Sequence, residues 1–554
     1  MARAFVCLVA LGFSAFGGAQ PPARDTPPAA GTASIRGRVT DATGRPLARA
    51  QVTAGPNAGR IEGRVVLTDG DGRYEIVNLP AGTYTIFATK TNYVRTAWGE
   101  QRPEGPGKRI PVADGQKLTN VDVRMMHTGA ITGKLVDEFG DPVADVFVQA
   151  LRYQYVQGTR RLMGSGRGGP TNDIGEFRIY GLTPGQYFVS ATLRNVAQAN
   201  SDSTDRSGYA PTFYPGTGNP AEAQRMTIAP GQTITGINLS LLPIQTATVS
   251  GTVIDVDGRP LVNGMVSVSP KTLVGGSGFM GFPVRNDGHF RIGSLTPGEY
   301  TIRANSSSSA DAATVDVTVS GTDVSGVQIT LARPSTIRGR IVFTPSANGS
   351  APPKSTQYDL GAIRDWTIGQ QIRSPSKIKD DGTFEISLMA GRVQLRAAPV
   401  GGGTGPNGPL PWRINRIIYN DVDVGDAGID VAPNATIENV VVEMTNKSSE
   451  ISGQVTDADG TVVRDVSVIV FAQDQARWTV QTRWLAVARP ALDDRFHARV
   501  LAGDYYVVAM SDVVTNAWTD ADFLALAREH ATKISVGDNE KKTIDLVVTP
   551  APVF

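Results

Sequence analysis

Residues 249–261 read VSGTVIDVDGRPL, and residues 286–302 read NDGHFRIGSLTPGEYTI. Val249, Gly251 and Val253 fall on one face of a strand, at the period-two spacing that a half-buried strand requires. Gly251 at its midpoint predicts a bulge or a close approach of another backbone. Asp255-Val256-Asp257-Gly258 turns the chain, and Met265-Val266-Ser267-Val268 begins a second strand. In the later segment Asp287-Gly288 forms a tight turn, Phe290 enters the core, and Ile292 faces the same way two residues on. Pro297-Gly298 fits a type II turn, with proline fixing φ and glycine accepting a positive φ. Tyr300 then opens a strand with its ring inward and its hydroxyl within reach of a nearby carbonyl, as in a tyrosine corner.

Both segments recur. The first returns as IRGRVTDATGRPL (35–47), ITGKLVDEFGDPV (131–143), IRGRIVFTPSANG (337–349) and ISGQVTDADGTVV (451–463). Its marker glycines Gly37, Gly133, Gly251, Gly339 and Gly453 are spaced by 96, 118, 88 and 114 residues. A unit of that size is a whole sandwich domain and far exceeds a solenoid turn. The second segment returns at 69–86, 172–189, 380–395 and 493–508, with Tyr74, Phe177, Phe384 and Phe496 at the core position of Phe290. Tyr84, Tyr187 and Tyr505 repeat Tyr300. A third motif closes each unit at 115–125, 231–241, 321–331, 434–444 and 540–548, ending in alternation such as Val121, Val123 and Met125. Units four and five depart from the pattern: both lack the turn proline, and Val393 replaces the tyrosine in unit four.

The order Gly-x-Val-x-Asp…Gly-x-Pro, Asp-Gly-x-Phe, Leu-x-Pro-Gly-x-Tyr resembles the carboxypeptidase regulatory-like domain, and is similar to starch-binding-like and Cna-B-type sandwiches. The resemblance implies an all-β chain: a tandem array of five seven-stranded transthyretin-like (prealbumin-like) β-sandwiches, with one short helix in the last. It also implies an accessory, non-catalytic module of secreted or cell-surface bacterial proteins. The expected divisions are a signal peptide (1–19), a Pro/Ala-rich linker (20–33), and sandwiches at 34–126, 127–243, 247–333, 335–446 and 448–549.

Composition agrees with short strands and many turns. The 554 residues include 61 Gly and 35 Pro, more than an average domain carries. Lys plus Arg number 53 and Asp plus Glu 52, so no global field draws nucleic acid or an anionic membrane. Arg3, the apolar stretch Ala4–Phe16 and the small residues Gly17-Gly18-Ala19 read as an export signal, which is too short to span a bilayer. The expected location is periplasmic, outer-surface or extracellular. The single cysteine, Cys7, lies inside that signal, so the mature chain is expected to rely on packed cores without disulfides. No later run of 18 apolar residues occurs, and none of the mature chain is expected to cross a membrane as a helix.

The chemistry-bearing residues point away from catalysis. The histidines His127, His289, His497 and His530 show no zinc-peptidase spacing, and no nucleophile elbow or phosphate loop occurs. The expectation is no catalytic residue, no metal and no cofactor. Paired acids such as Asp255 and Asp257 lack the further ligands of a calcium loop and read as turn residues. Aromatics in segments peculiar to one unit are the candidate carbohydrate- or partner-binding residues: Trp98, Tyr214, Trp412, Trp478, Trp484 and Trp518. The alternative is that such rings cap sandwich ends or join adjacent units. Residues 152–170, with Arg152, Arg160, Arg161 and Arg167, read as a solvated hairpin loop or an anionic-glycan site. Residues 519–531 read as a helix covering the last sandwich, with Thr519 as cap and Phe523, Leu524 and Leu526 as its apolar face.

The expected function is a non-catalytic, secreted or envelope-associated multi-sandwich protein, its units set in a rod or folded back, that binds polysaccharide or a cell-surface protein. The alternatives are a structural spacer or assembly subunit, and a hydrolase with carboxylates gathered between units.

Overall fold

The computed structural model describes residues 31–552 apart from 57–62, 101, 106, 157, 194–206, 272–279, 346–350, 365–372, 376, 401–403, 406–407, 410–411, 481 and 492. The signal-peptide reading, Cys7 and most of the Pro/Ala-rich linker lie outside the described residues.

Unit three shows the plan. Its seven strands are Ala247–Ile254, Gly264–Pro270, Met280–Pro283, His289–Leu295, Gly298–Ser306, Ala312–Val319 and Val324–Thr330. The first lies between the fourth, antiparallel, and the last, parallel, and the other four form the second sheet. Alternate residues face inward, so Val249, Val253, Val266, Phe290, Ile292 and Ile302 meet in one core. Four further cores of the same make fill units one, two, four and five, giving tandem β-sandwiches from Ala33 onward.

The register is identical where the sequence varies. The marker glycine stands opposite the core aromatic in every unit: Gly37 with Tyr74, Gly133 with Phe177, Gly251 with Phe290, Gly339 with Phe384, Gly453 with Phe496. The glycine is required by close approach. A Cβ on Gly251 would lie 1.8 Å from the carbonyl oxygen of Val327 on the parallel strand. The corresponding distances are 2.0 Å at Gly37, 1.7 Å at Gly133, 1.9 Å at Gly339 and 1.8 Å at Gly453. The strand tyrosines bury their rings, and each hydroxyl donates to the carbonyl four residues back. Tyr84 reaches Pro80 at 2.8 Å, Tyr187 Thr183 at 2.6 Å, Tyr300 Thr296 at 2.8 Å, and Tyr505 Leu501 at 2.9 Å.

The Pro-Gly turn differs from expectation. Gly298 does not have a positive φ, and the strand has already begun there. The preceding strand ends at Leu295, Thr296 and Pro297 make the connection, and Gly298 starts the next strand, so no type II turn forms with Gly298 at its third position. Residues 152–170 are not a loop either. They extend two long paired strands, Val146–Val156 and Thr159–Pro170, beyond the sandwich. The helix in unit five is Ala521–Ala527. Its cap is Asp520, whose carboxylate accepts from the N–H groups of Asp522 and Phe523, in place of Thr519. Phe523, Leu524 and Ala527 form the buried face, and Leu526, at the edge of that face, is exposed.

Candidate functional site

Most strands alternate between buried and exposed residues. Two strands of unit two do not, and there Leu151, Leu162, Phe188 and Phe213 form a small outer cluster. Nor do two strands of unit five. Ser467–Ala472 is buried at every position, and Gly503–Ser511 is buried from Val507 to Met510. Val468, Val470, Tyr505 and Val507 face the sandwich core. Ile469, Phe471, Val508 and Met510 face the other way and form a second apolar cluster. The helix covers it with Phe523, Leu524 and Ala527. Trp478 closes another side, its ring 5.5 Å from that of Phe471 and its indole N–H donating to the Ala472 carbonyl at 2.7 Å.

The remaining side is closed from a distance of more than three hundred residues. Tyr155, at the tip of the long hairpin of unit two, is 7% exposed within this cluster. Burial raises the pKa of its hydroxyl. At the next turn, a Cβ on Gly158 would touch Val480 and the carbonyl of Thr519. Unit one meets unit five through Arg102, whose guanidinium contacts the Asp512 carboxylate at 2.9 Å and the Val513 carbonyl at 3.3 Å. Two residues on, Glu104 pairs with Arg152 of the hairpin and accepts from the Thr183 hydroxyl at 2.9 Å. Unit five therefore touches units one, two and four, so of the two arrangements the sequence left open, a rod and a folded-back chain, the contacts are those of the second.

The joint between units four and five is ionic. Arg483 lies between two carboxylates, Asp423 at 2.5 Å and Asp426 at 3.1 Å, with its side chain 13% exposed. The Trp484 indole also donates to Asp426, at 2.9 Å. Burial works to raise the Asp423 carboxyl, but the Arg483 hydrogen bond and charge and the Gly425 N–H outweigh it, and its pKa is lowered. A polar cavity of about 220 Å³ adjoins the pair, lined among others by Arg413, Asn415 and Asp538.

Each candidate aromatic has a place in packing. Trp412 and Trp478 are buried, the first in the core of unit four and the second in the outer cluster of unit five. Trp98, Tyr214, Trp484 and Trp518 are half-buried against cores of units one, two, five and the outer cluster. Trp484 carries the Arg477 guanidinium 3.9 Å over one face, and its edge meets Gly503. The six residues are not brought together, and no shared ring platform results. Arg152 and Arg160 of the hairpin are likewise engaged, with Glu104 and with the Tyr153 ring. The outer cluster and the Arg483 joint were missed at the sequence level. The unbroken apolar run Val468–Phe471 was the available signal for the cluster, since a strand with one wet face would alternate.

Acidic residues are committed to turns. One carboxylate oxygen of Asp255 accepts from the N–H groups of Asp257 and Arg259, both at 2.9 Å. Asp41, Asp69, Asp137 and Asp457 repeat this geometry. Among the described residues no group of three or more His, Cys, Asp or Glu side chains is placed to hold a metal ion. No helix among them is long and apolar enough to cross a membrane.

These features define a tandem β-sandwich repeat protein. Residues 34–126 and 248–332 match the carboxypeptidase regulatory-like domain, the family that the repeated motifs resemble. No curated protein sequence matches the chain significantly. Among solved structures the chain is similar to the Bacillus anthracis TIE protein, at 10% identity over 76% of this chain and 74% of that one, with a TM-score of 0.15. It is also similar to a streptococcal ancillary pilin, at 13% identity over 54% and 98%, with a TM-score of 0.19. The major pilin subunit BcpA of Bacillus cereus shares 11% identity over 54% and 99%, with a TM-score of 0.14. Values this low assign neither a common overall arrangement nor a common role.

Proposed function

We propose that this chain is a non-catalytic structural protein of the exported surface, a scaffold whose sandwiches position exposed faces for a protein partner. The observation that carries this reading is where the chemistry-bearing side chains go. Acids cap turns, half-buried charges pair at joints, and the unit-specific aromatics fill cores and junctions. Polysaccharide binding through those aromatics is the weaker reading, because none of the six is exposed. Fold alone assigns no role, so the proposal rests on these placements. Export rests on the signal-like N-terminus.

The test is a glycan array together with a panel of glycosidase and peptidase substrates, using the purified chain. The scaffold reading expects neither sugar retention nor turnover. Turnover lost on replacing one carboxylate, or sugar binding lost on replacing one of the six aromatics, overturns it.

A further inference from the structure

The five units are internal controls for one another, and one position breaks their agreement. At the end of each sandwich two tight turns stand side by side. In unit two they are Asp137–Asp141 and Asn172–Glu176, held together where the N–H of Leu135 donates to the Gly175 carbonyl. The third residue of the first turn is Thr43 in unit one, Asp257 in unit three and Asp459 in unit five. In unit two it is Phe139. The third residue of the second turn is Asp71, Asp287, Asp381 and Asp493 in the other units, and Ile174 in unit two. Neither turn needs an apolar residue there, because the turn is made by the N–H of that residue bonding to Asp137 or Asn172. Yet Phe139 is 82% exposed and Ile174 49%. Around them stand Asp137, Glu138, Asp141, Asp173 and Glu176, with no cation in either turn. An anionic lipid surface would repel such a tip.

A complementary face exists on unit one. The strand Arg64–Leu67 is a sheet edge, with Val65 52% and Leu67 65% exposed. Thr53 pairs with Val65 on one side and Phe87 on the other, so the three share the outer face. The exposed Arg95 guanidinium lies 3.8 Å over the Phe87 ring. At the other end exposed Arg49 bonds through its N–H to Thr68, and Lys90 reaches the Ala48 carbonyl. Arg49, Lys90 and Arg95 outnumber the two turn acids next to Leu67, Asp69 and Asp71, so the face is apolar with a rim cationic on balance, where the tip is apolar with an acidic rim.

We propose that the Phe139–Ile174 tip of one copy docks on the Val65–Leu67 face of a second copy of this chain. Like charges keep tip from tip and face from face, so the contact is head-to-tail. A head-to-tail contact that does not close by rotation continues into a linear assembly. Each contact pairs two exposed side chains of the tip with two of the face between opposite charges, so association is expected to be weak and salt-sensitive. The inference rests on the scaffold reading and gives it a partner.

The experiment is sedimentation velocity on the full chain across a concentration series, at low and high salt. The expected result is an average mass that rises with concentration and falls with salt. Phe139→Asp and, separately, Leu67→Asp weaken association about tenfold or more, as loss of a central apolar anchor does. Both sites are exposed, so the variants melt with the parent. An equimolar mixture of the two variants restores dimers and nothing larger, because one chain retains the face and the other the tip. A wild-type chain that stays monomeric throughout, or a mixture that stays monomeric, overturns the contact. Either outcome leaves the scaffold reading to its own test, which is sugar binding and turnover.

Discussion

The carbonyl oxygen of Val327 occupies the space beside Gly251, 1.8 Å from where a Cβ would sit. No rotamer relieves such an overlap, because the backbone fixes where the Cβ sits and the carbonyl is itself backbone. Gly251→Ala must therefore separate the first and last strands of unit three. The expected cost is at the upper end of the ~1–3 kcal/mol typical of overpacking. Gly258→Ala is the control. Gly258 has a φ of +81° and open space around it, so alanine there costs only the backbone term, roughly 1 kcal/mol. Hydrogen exchange on the two variants checks this: protection falls across unit three in the first and stays near the parental value in the second.

Tyr300 supplies a second, milder test. Its hydroxyl bonds the Thr296 carbonyl at 2.8 Å, and burial raises its pKa. Tyr300→Phe keeps the ring in the core and leaves that carbonyl without the phenol. The expected destabilisation is about 1 kcal/mol, the usual net value of one hydrogen bond. Tyr505→Phe behaves alike through Leu501. Chemical denaturation of each variant reads the shift in midpoint at unchanged slope.

These two contacts also show why so much of the fold could be read from the sequence. Gly251 and Tyr300 act within one unit, between segments that repeat, so each unit confirms the reading of the others. Even unit four, with Val393 in place of the tyrosine, keeps the pairing of Gly339 with Phe384. The contacts of unit five with other units occur once each and had no second copy to reveal them. Tyr155 and Phe471 are separated by over three hundred residues, and nothing local marks them as neighbours. The aromatics admitted two readings, binding and packing, for a related reason. Absence from the shared motifs says that a ring is unit-specific, and junctions between units are unit-specific too. The sequence left open whether the units form a rod or fold back, and the contacts of unit five with earlier units follow from apolar residues on both faces of one of its sheets, which must be covered.

Arg483 tests the joint between units four and five. Removing it leaves Asp423 and Asp426 facing each other, partly out of water. The expected effect of Arg483→Ala is loss of most of the joint, within the ~3–5 kcal/mol that breaking a buried pair costs. Arg483→Lys restores charge without the fork that spans both carboxylates, and is expected to recover only part of it. Solution scattering reads the outcome as a larger radius of gyration for Arg483→Ala. An unchanged radius counts against the joint as the element that orients unit five.

His497 gives unit five a pH dependence. Its ring bridges Glu450 at 2.8 Å and Asp493 at 3.0 Å. Hydrogen bonds to Glu450 and then Asp493 hold its pKa above the ordinary histidine value. A raised folded-state pKa means the folded state binds the proton more tightly. The stabilisation is complete below the unfolded value of about 6.5, and it is lost as pH rises through the folded value. The expected result is a wild-type melting temperature that falls between mildly acidic and mildly alkaline pH by more than that of His497→Gln. The ring is partly exposed, so high salt reduces the difference. Titration of the ring proton resonances checks the direction of the shift directly.

The return of unit two onto unit five can be trapped covalently. A Cβ on Gly158 would lie 3.5 Å from the Cβ of Val480. That falls at the short end of the ~3.5–4.5 Å range of disulfides. Gly158 has a φ of +71° and its Cβ would lie 2.8 Å from the Thr519 carbonyl oxygen, so cysteine there carries a backbone cost of about 1–2 kcal/mol and also requires a small local shift of that carbonyl. The chain has one native cysteine, Cys7, and replacing it with alanine leaves a clean background. Oxidised Gly158→Cys/Val480→Cys protein is expected to run as a monomer with altered mobility on non-reducing gels, reverting on reduction. The closed loop exceeds three hundred residues, so the cross-link removes much unfolded-state entropy and raises the melting temperature of unit five. A pair that stays reduced at neutral pH even under added oxidant, together with a Tyr155→Ala variant whose melting is unchanged, would place Tyr155 away from Phe471 in solution.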